Sequence, residues 1–541
     1  MIVETKKVVQ NVDLNDAFVQ FSNPAKNPND SPFITLIRPP ILFSAKSYST
    51  PLTLPIGIAY IAAALEKSNY RVKIIDCPGA GIDEIRKTPD GRFKIQGIDI
   101  DQSIEMIDKN SDIIAVSTMF SQEWPHYREY INKVRKAFPH AKIVVGGEHV
   151  TAMPEFSLKE CLSIDYIVKG EGELAFLNLV HNIRNGIQED INGVVYLKNG
   201  EYHESELAPR MIQINDMPWP AWHLIDVEPY FQPNFTMGIA QGRNMAILGT
   251  RGCPYQCTFC SSPQMWTTRY VMRPVSDVCD EIEHYIKVYK ANSIDFYDLT
   301  AIIKKKWVMD FTEELKRRKI NIVWQLPSGT RSEALDGEVI SNLKQTGISL
   351  LVYAPESASS RILKQIKKKI KLERLTSSIK SSVKKGIITK VNFIIGFPDE
   401  KRWDVYKTLF YVWKLALLKV NDCQLSIFSP YPGSEIYDEL IEDGIITEMN
   451  DEYFESLMTQ FDFTVSKSVC KNITSYELLI YRVFGMSIFY VLSYLRCPGR
   501  LFRLVKVFLS RGKNFEPDSL FEQRVFDYIV RTKSYAELKT T

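Results

Sequence analysis

Twice along this chain, short apolar runs alternate with amphipathic stretches, and that alternation limits the possible folds more than any other feature. The first series is Phe33–Arg38, a helical Leu54–Ser68, Val72–Asp76, Ile113–Ser117, an amphipathic Tyr127–Ala137, Lys142–Val145 and Tyr166–Lys169. Runs of about five residues that are apolar throughout need cover on both faces, so they predict a parallel sheet with helices on either side. The fold class is α/β, opening with a doubly wound, Rossmann-like domain whose ligands bind at the carboxyl ends of the strands. A hairpin follows, Gly193–Leu197 and Glu201–Glu204 around Asn199-Gly200, a dipeptide that favours a tight turn. The linker Met217-Pro-Trp-Pro-Ala-Trp222 leads to the second series: Met245–Gly249, Ser293–Tyr297, Ile322–Leu326, Leu350–Ala354, Lys390–Gly396 and Gln424–Phe428. With helical segments such as Asp277–Tyr289 and Lys306–Arg317 between them, these units fit a partial (β/α)6 barrel of TIM type, whose chemistry belongs at the C-terminal ends of its strands.

Composition sets bounds. A chain of 541 residues with 45% apolar and 24% charged residues can build several domains, about three or four, each with its own core. The net charge of +3 gives no reason to expect nucleic acid as a partner. Met-Ile-Val-Glu-Thr-Lys-Lys at the start lacks the apolar core of a signal peptide, and no uninterrupted apolar run reaches the ~18 residues of a membrane span. Nine cysteines without an export signal imply reduced thiols available as ligands, and hence a cytoplasmic protein.

Three of those cysteines sit in Gly252-Cys-Pro-Tyr-Gln-Cys-Thr-Phe-Cys-Ser261, directly after the first strand of the second series. Cys253, Cys257 and Cys260 supply three thiolates in one loop. A structural zinc site normally closes with four protein ligands, whereas three thiolates on a cubane [4Fe–4S] cluster leave one iron open. A zinc knuckle completed by a distant Cys or His uses the same residues.

The loop resembles the signature of the radical S-adenosylmethionine (SAM) superfamily, and other elements across residues 33–445 resemble it too. The resemblance implies that the open iron takes the amino and carboxylate groups of SAM and that Phe259 packs near the adenine. Glu356, in Tyr353-Ala-Pro-Glu-Ser-Ala358, corresponds to the acid that holds the SAM ribose; a carboxylate suits a vicinal diol because it accepts two hydrogen bonds. Ser328 and Arg331, in Pro327-Ser-Gly-Thr-Arg331, are expected to contact SAM or substrate. Gly396 and Phe397, in Ile394-Ile-Gly-Phe-Pro-Asp399, match the adenine-side stretch. Ser429-Pro-Tyr-Pro-Gly-Ser434 matches the element that closes the barrel. Asp298 ends the second barrel strand, but Leu299-Thr300-Ala301 departs from the usual pattern after it.

In the first domain, three strand ends stand out: Ser117-Thr118-Met119, Gly146-Gly147-Glu148-His149 and Gly170-Glu171-Gly172-Glu173. Glycines there let a ligand approach the backbone, and no G-x-G-x-x-G opens the first helix, which disfavours a dinucleotide. The order is similar to that of cobalamin-binding domains, implying cobalamin contacts from Ser117, Thr118, Met119, Gly146, Gly147, Glu148, His149, Gly170 and Glu171. Such domains often carry Asp-x-His-x-x-Gly after the first strand, with the His on cobalt. Here Arg38-Pro-Pro-Ile-Leu-Phe43 has no His, as is usual in the cobalamin-dependent branch of radical SAM proteins.

That branch implies three cofactors: a [4Fe–4S] cluster, SAM and cobalamin. It also implies an external electron donor and C-methylation of a small or apolar metabolite through a 5′-deoxyadenosyl radical and methylcobalamin. The anaerobic porphyrin cyclase branch shares the domain order, so oxidative ring formation or rearrangement is the alternative. A corrinoid-binding sensor that never turns over SAM is a third reading.

The chain therefore divides into an arm (1–30), a cobalamin-binding domain (31–190), a hairpin and linker (191–238), a radical SAM partial barrel (239–445) and a helical C-terminal cap (446–541). From Leu478 to Phe515 the cap carries Arg482, Arg496, Arg500, Arg503, Lys506, Arg511 and Lys513 and no acid, interleaved with bulky apolar residues. It is expected to cover the barrel mouth and favour a lipid, isoprenoid or tetrapyrrole substrate, or to touch an anionic membrane surface peripherally.

Overall fold

The first domain is a sheet of seven strands. We number them β1 (Phe33–Arg38), β2 (Arg71–Asp76), β3 (Ser111–Ser117), β4 (Lys142–Gly146), β5 (Tyr166–Val168), β6 (Val194–Lys198) and β7 (Glu201–Glu204). This computed structural model describes residues 14–22, 31–47, 52–208, 210–211, 214, 216–231, 235–331, 334–458, 462, 467–510 and 519–523. The strand order is β2-β1-β3-β4-β5-β6-β7, with β1 to β5 parallel and the hairpin β6–β7 added antiparallel at the edge. The parallel part has the flavodoxin-like order, which reverses direction between β1 and β3 and opens a crevice there. Ile34, Leu36 and Ile37 of β1 and Ile113, Ile114 and Val116 of β3 are buried, as central strands covered by helices on both faces must be.

Residues beyond β1 depart from a simple loop. Ile41–Ser44 pairs antiparallel with Phe93–Gln96, which pairs with Ile85–Lys87, so the segment after β1 belongs to a small sheet of its own. The expected arm over 1–30 lies outside the described residues except for 14–22. There Leu14–Gln20 is a helix, with Ala17 and Phe18 buried.

The second domain is a six-stranded parallel sheet in sequential order: β8 (Asn244–Ile247), β9 (Ser293–Phe296), β10 (Val323–Thr330), β11 (Ile348–Glu356), β12 (Ile388–Ile395) and β13 (Asp422–Ile427). Its interior is filled from two directions. The backbone at Gly238 and Ile239 bonds to the Asp295 carboxylate (2.8 Å) and the Gln325 amide (2.8 Å). Leu520 joins Ile239, Leu350 and Val352 in one buried cluster.

The C-terminal helices lie elsewhere than expected. The helix Ser475–Arg496 does not cover the mouth of the barrel but runs down its flank, over the edge strand β13 and the helix Arg402–Leu417. Leu478, Arg482, Gly485, Phe489 and Ser493 form its buried stripe. A Cβ on Gly485 would come 2.6 Å from Leu409 Cδ2, so glycine lets the two helices touch. Tyr490 donates to Asp422 (2.7 Å), and Arg500 donates to the Val420 carbonyl (2.9 Å), tying the next helix to the base of β13.

Candidate functional site

The cysteine loop leaves β8 through a short, fastened turn. The Asp298 carboxylate accepts from Gly249 N–H (3.0 Å) and from the Thr250 hydroxyl. Burial raises the Asp298 pKa to about 6 against these donors. Asp298 therefore anchors the start of the loop. Gly252 has φ +83, and a Cβ there would sit 2.1 Å from the Arg269 carbonyl oxygen, a position only glycine can occupy. Beyond it Cys253, Cys257 and Cys260 are half-buried and free of disulfides. Thr258 N–H donates to the Ile366 carbonyl (3.2 Å), and the Thr258 carbonyl accepts from Ile436 N–H (2.9 Å), so the loop is pinned on both sides. Thr300 Oγ1 lies 3.7 Å from Cys253 Sγ, a neighbour the sequence reading did not assign.

The residues expected around SAM form a wall beside this loop. Glu356 ends β11 with φ +69 and accepts from Lys368 Nζ at 2.8 Å. Both side chains are about nine-tenths buried. Burial lowers the Lys368 pKa, but Glu356 and the Cys257 thiolate outweigh it and hold the ammonium raised. Lys368 Nζ lies 5.9 Å from the Phe259 ring centroid. Phe259 meets Phe397 edge-on at 5.9 Å, and Phe397 packs on Phe428 at 5.1 Å. The Arg331 guanidinium lies 3.5 Å over the Tyr255 ring and donates to the Lys369 carbonyl. Ser328 is half-buried, 3.8 Å from Met237 Sδ. Gly396 donates its N–H to Glu400 and lies under Leu478, whose Cδ1 a Cβ would approach to 2.7 Å.

The rim of the first domain is equally specific. Gly147 has φ +133, and a Cβ there would lie 2.6 Å from the Thr118 carbonyl oxygen. Thr118 in turn donates its N–H to Gly146 O (2.8 Å) and is buried, while Ser117, Gly146, Gly147 and Gly170 are half-exposed and Met119 is exposed. Two expected contacts turn inward. His149 is fully buried, with Nδ1 3.1 Å from Ser121 Oγ and Nε2 3.3 Å from Ser157 Oγ. Its ring lies 4.5 Å from that of Trp124, and burial pushes its pKa down to about 3. It is a core residue. Glu171 is buried against Arg210 (3.0 Å) and Arg251 (3.6 Å), binding the two domains together instead of facing the rim.

The two rims meet. The Glu148 carboxylate, at the end of β4, accepts from the Ser261 hydroxyl, one residue beyond Cys260. Gly433 packs on Ala152 and Gln264, and Gly170 on the Met265 carbonyl. The carboxyl ends of both sheets thus face one junction.

A B12 binding domain model matches residues 49–180, and a radical SAM superfamily model matches residues 247–412. The chain is 30% identical over 419 residues to an uncharacterized methyltransferase of Pyrococcus horikoshii, covering 77% of this chain and 85% of that one. The chain belongs to the cobalamin-binding radical SAM family. To the anaerobic magnesium-protoporphyrin IX monomethyl ester cyclase of Rubrivivax gelatinosus this radical SAM protein is 28% identical over 308 residues, 56% of this chain and 54% of that one. Its fold is similar to that of the radical SAM methyltransferase TsrM from Kitasatospora setae, whose solved structure holds cobalamin and a [4Fe–4S] cluster. The TM-score is 0.65 at 15% identity, covering 94% of this chain and all of that one.

The family's cofactors are the [4Fe–4S] cluster, SAM and cobalamin, and the donor set fits them. Cys253, Cys257 and Cys260 are free thiols in one loop; three thiolates can each hold one iron of a cubane and leave the fourth iron open, whereas a structural zinc site takes a fourth protein ligand. Cobalamin would meet a rim of backbone and small side chains, with His149 withdrawn from it.

Proposed function

We propose that this radical SAM enzyme is a cobalamin-dependent C-methyltransferase acting on a small apolar substrate held at the junction of its two domains. The reading rests on one observation, the Glu148–Ser261 hydrogen bond. It sets the proposed cobalamin rim against the loop that carries Cys253, Cys257 and Cys260. When bound, the cluster with SAM supplies a radical able to activate a C–H bond, and cobalamin supplies a transferable methyl group. The protein's residues bind, orient and exclude water. Cys253, Cys257 and Cys260 would hold the cluster. Glu356, fixed by Lys368, would hold the SAM ribose, and Arg331, stacked on Tyr255, would order the flank of the loop. Phe259, Phe397 and Phe428 would keep water from the adenine side, while Ser328 and Gly396 would border the site. Ser117, Thr118, Met119, Gly146, Gly147, Glu148 and Gly170 would receive cobalamin.

Several observations favour methyl transfer to an apolar molecule. The relative named a methyltransferase matches over 85% of its length, against 54% for the cyclase. Phe120 stands exposed at the rim, outside the residues proposed for cobalamin, an apolar side chain that a substrate would cover. The basic C-terminal segment lies on the flank and carries no argument about substrate. Nine free thiols suit the reducing cytoplasm and an external reductant.

The test is anaerobic turnover of protein reconstituted with iron, sulfide and cobalamin, given SAM and reductant, with apolar candidates such as isoprenoids and tetrapyrroles. S-adenosylhomocysteine and 5′-deoxyadenosine formed together support methylation. Deoxyadenosine alone, with a ring-closed or rearranged product, would replace this reading by the cyclase one. Bound cofactors that yield neither product with any candidate would favour a sensor.

A further inference from the structure

The helices Arg402–Leu417 and Ser475–Arg496 lie side by side on the barrel flank, each with one face buried and one open. Trp403, Phe410 and Leu417 fall at i, i+7 and i+14 on the first, and they are 63%, 59% and 53% exposed. Phe484, Val491 and Leu495 fall along one side of the second, at 52%, 56% and 73%. The seam between the helices is itself aromatic: Trp413 meets Phe484 at 5.9 Å, and Tyr406 meets Tyr481 at 5.7 Å. The open stripes therefore join into one apolar surface, of a kind that soluble monomers rarely leave bare.

The unpaired charges carried by these two helices and their ends have one sign. Lys407, Lys414, Lys419 and Arg496 are exposed. The acids on the same helices are engaged: Asp404 is buried with Arg361, and Glu477 pairs with Arg402 at 2.7 Å. The next helix, Pro498–Ser510, continues with exposed Leu501, Phe502, Val505 and Lys506.

Apolar residues whose own helices carry cations as their unpaired charges fit an anionic lipid surface, where side chains enter the headgroup boundary and lysines meet phosphates. They fit a second copy poorly, because an isologous contact would set cations against cations. Ser475–Arg496 is long and apolar enough to cross a membrane, with a mean hydropathy of 1.6 over its best window. Its inner face, however, holds the buried Arg482 and the Tyr490–Asp422 bond, which crossing would strip from the barrel. We propose that this flank docks the enzyme on the surface of an anionic bilayer, with Ser475–Arg496 lying in the membrane plane.

Flotation of the full-length, cofactor-loaded protein with phosphatidylcholine vesicles, with and without about a third phosphatidylglycerol, tests this. The protein should float with the anionic vesicles and much less with the neutral ones. Raising salt, or the charge swaps Lys407→Glu and Lys414→Glu, should cut binding about tenfold, because screened or reversed cations lose the lipid phosphates. Leu417→Glu with Val491→Glu should abolish flotation and leave cluster absorbance and the melting temperature unchanged, since both residues are more than half exposed and lie outside the aromatic seam. Failure to float with anionic vesicles, or flotation untouched by the double variant, would overturn the proposal. So would a dimer in solution that Leu417→Glu with Val491→Glu dissolves, which would assign the face to a second copy.

Discussion

The Ser261 hydroxyl donates to the Glu148 carboxylate across the domain junction, linking the residue after the last cluster cysteine to the loop after β4. Burial pushes the Glu148 pKa up, and the Ser261 bond opposes it. Ser261→Ala removes the partner and leaves a part-buried carboxylate oxygen without this donor, a loss of about 1 kcal/mol. The expected outcome is a lower melting temperature and weaker cobalamin retention, with cluster assembly intact. Equal retention in variant and parent would show that the bond does not shape the junction.

Lys368 and Glu356 form a nearly dry pair beside Cys257. Lys368→Met strands the carboxylate, and breaking one side of a buried pair destabilises by about 3–5 kcal/mol. A Lys368→Arg variant keeps the charge and should recover most of that stability. If Glu356 orients the SAM ribose, Lys368→Met also raises the SAM concentration needed for half-maximal cleavage beyond what Lys368→Arg shows. A fall in cleavage rate without that rise would assign the pair to structure alone.

Gly147→Ala forces a Cβ to within 2.6 Å of the Thr118 carbonyl at φ +133. The Ser117–Met119 turn must shift, because backbone there cannot yield as a side-chain tip would. Cobalamin retention should fall by roughly tenfold or more, since strain of this kind is worth about 1–3 kcal/mol. Absorbance of reconstituted protein, read for corrin and cluster separately, checks that only the first is lost.

Much of this site was readable in the residues, and the reasons for the rest are physical. Runs such as Ile113–Val116 and Leu350–Tyr353 are apolar without alternation, and that marks central parallel strands. The cysteine spacing and the strand before it placed the cluster loop. Lys368 was hidden because Lys367-Lys368-Lys369 looks like a solvated charge run, and only the return of the chain past β11 brings one of the three onto Glu356. His149 misled because a histidine at a strand end reads as a ligand, while its burial depends on Trp124 and Phe454 from distant segments. The apolar Ser475–Arg496 was legible as a helix. Its seat on the flank was not, since Gly485 against Leu409 is a contact no local pattern announces.

Glu123 is buried beside Arg38 and accepts from Leu42 N–H at 3.1 Å, and burial raises its pKa to about 8. An unfolded glutamate titrates near 4.3. Between these values the folded state keeps a proton that the unfolded state has released, so this group makes stability fall as pH rises from about 4.5 to about 8. Glu123→Gln should flatten that part of the profile, gaining on the parent protein at pH 8 relative to pH 5. Melting temperatures across that range decide it, and parallel profiles would show that Glu123 is ionised in the fold.

The central claim is that Cys253, Cys257 and Cys260 hold an open-iron cluster that SAM reaches. The most direct measurement is the electron paramagnetic resonance spectrum of the anaerobically reduced protein, titrated with SAM, alongside its iron content. The account predicts about four irons per chain, a reduced-cluster signal that SAM alters, and loss of both in Cys257→Ala. Bound zinc without iron, or a cluster signal that SAM leaves unchanged, would contradict it.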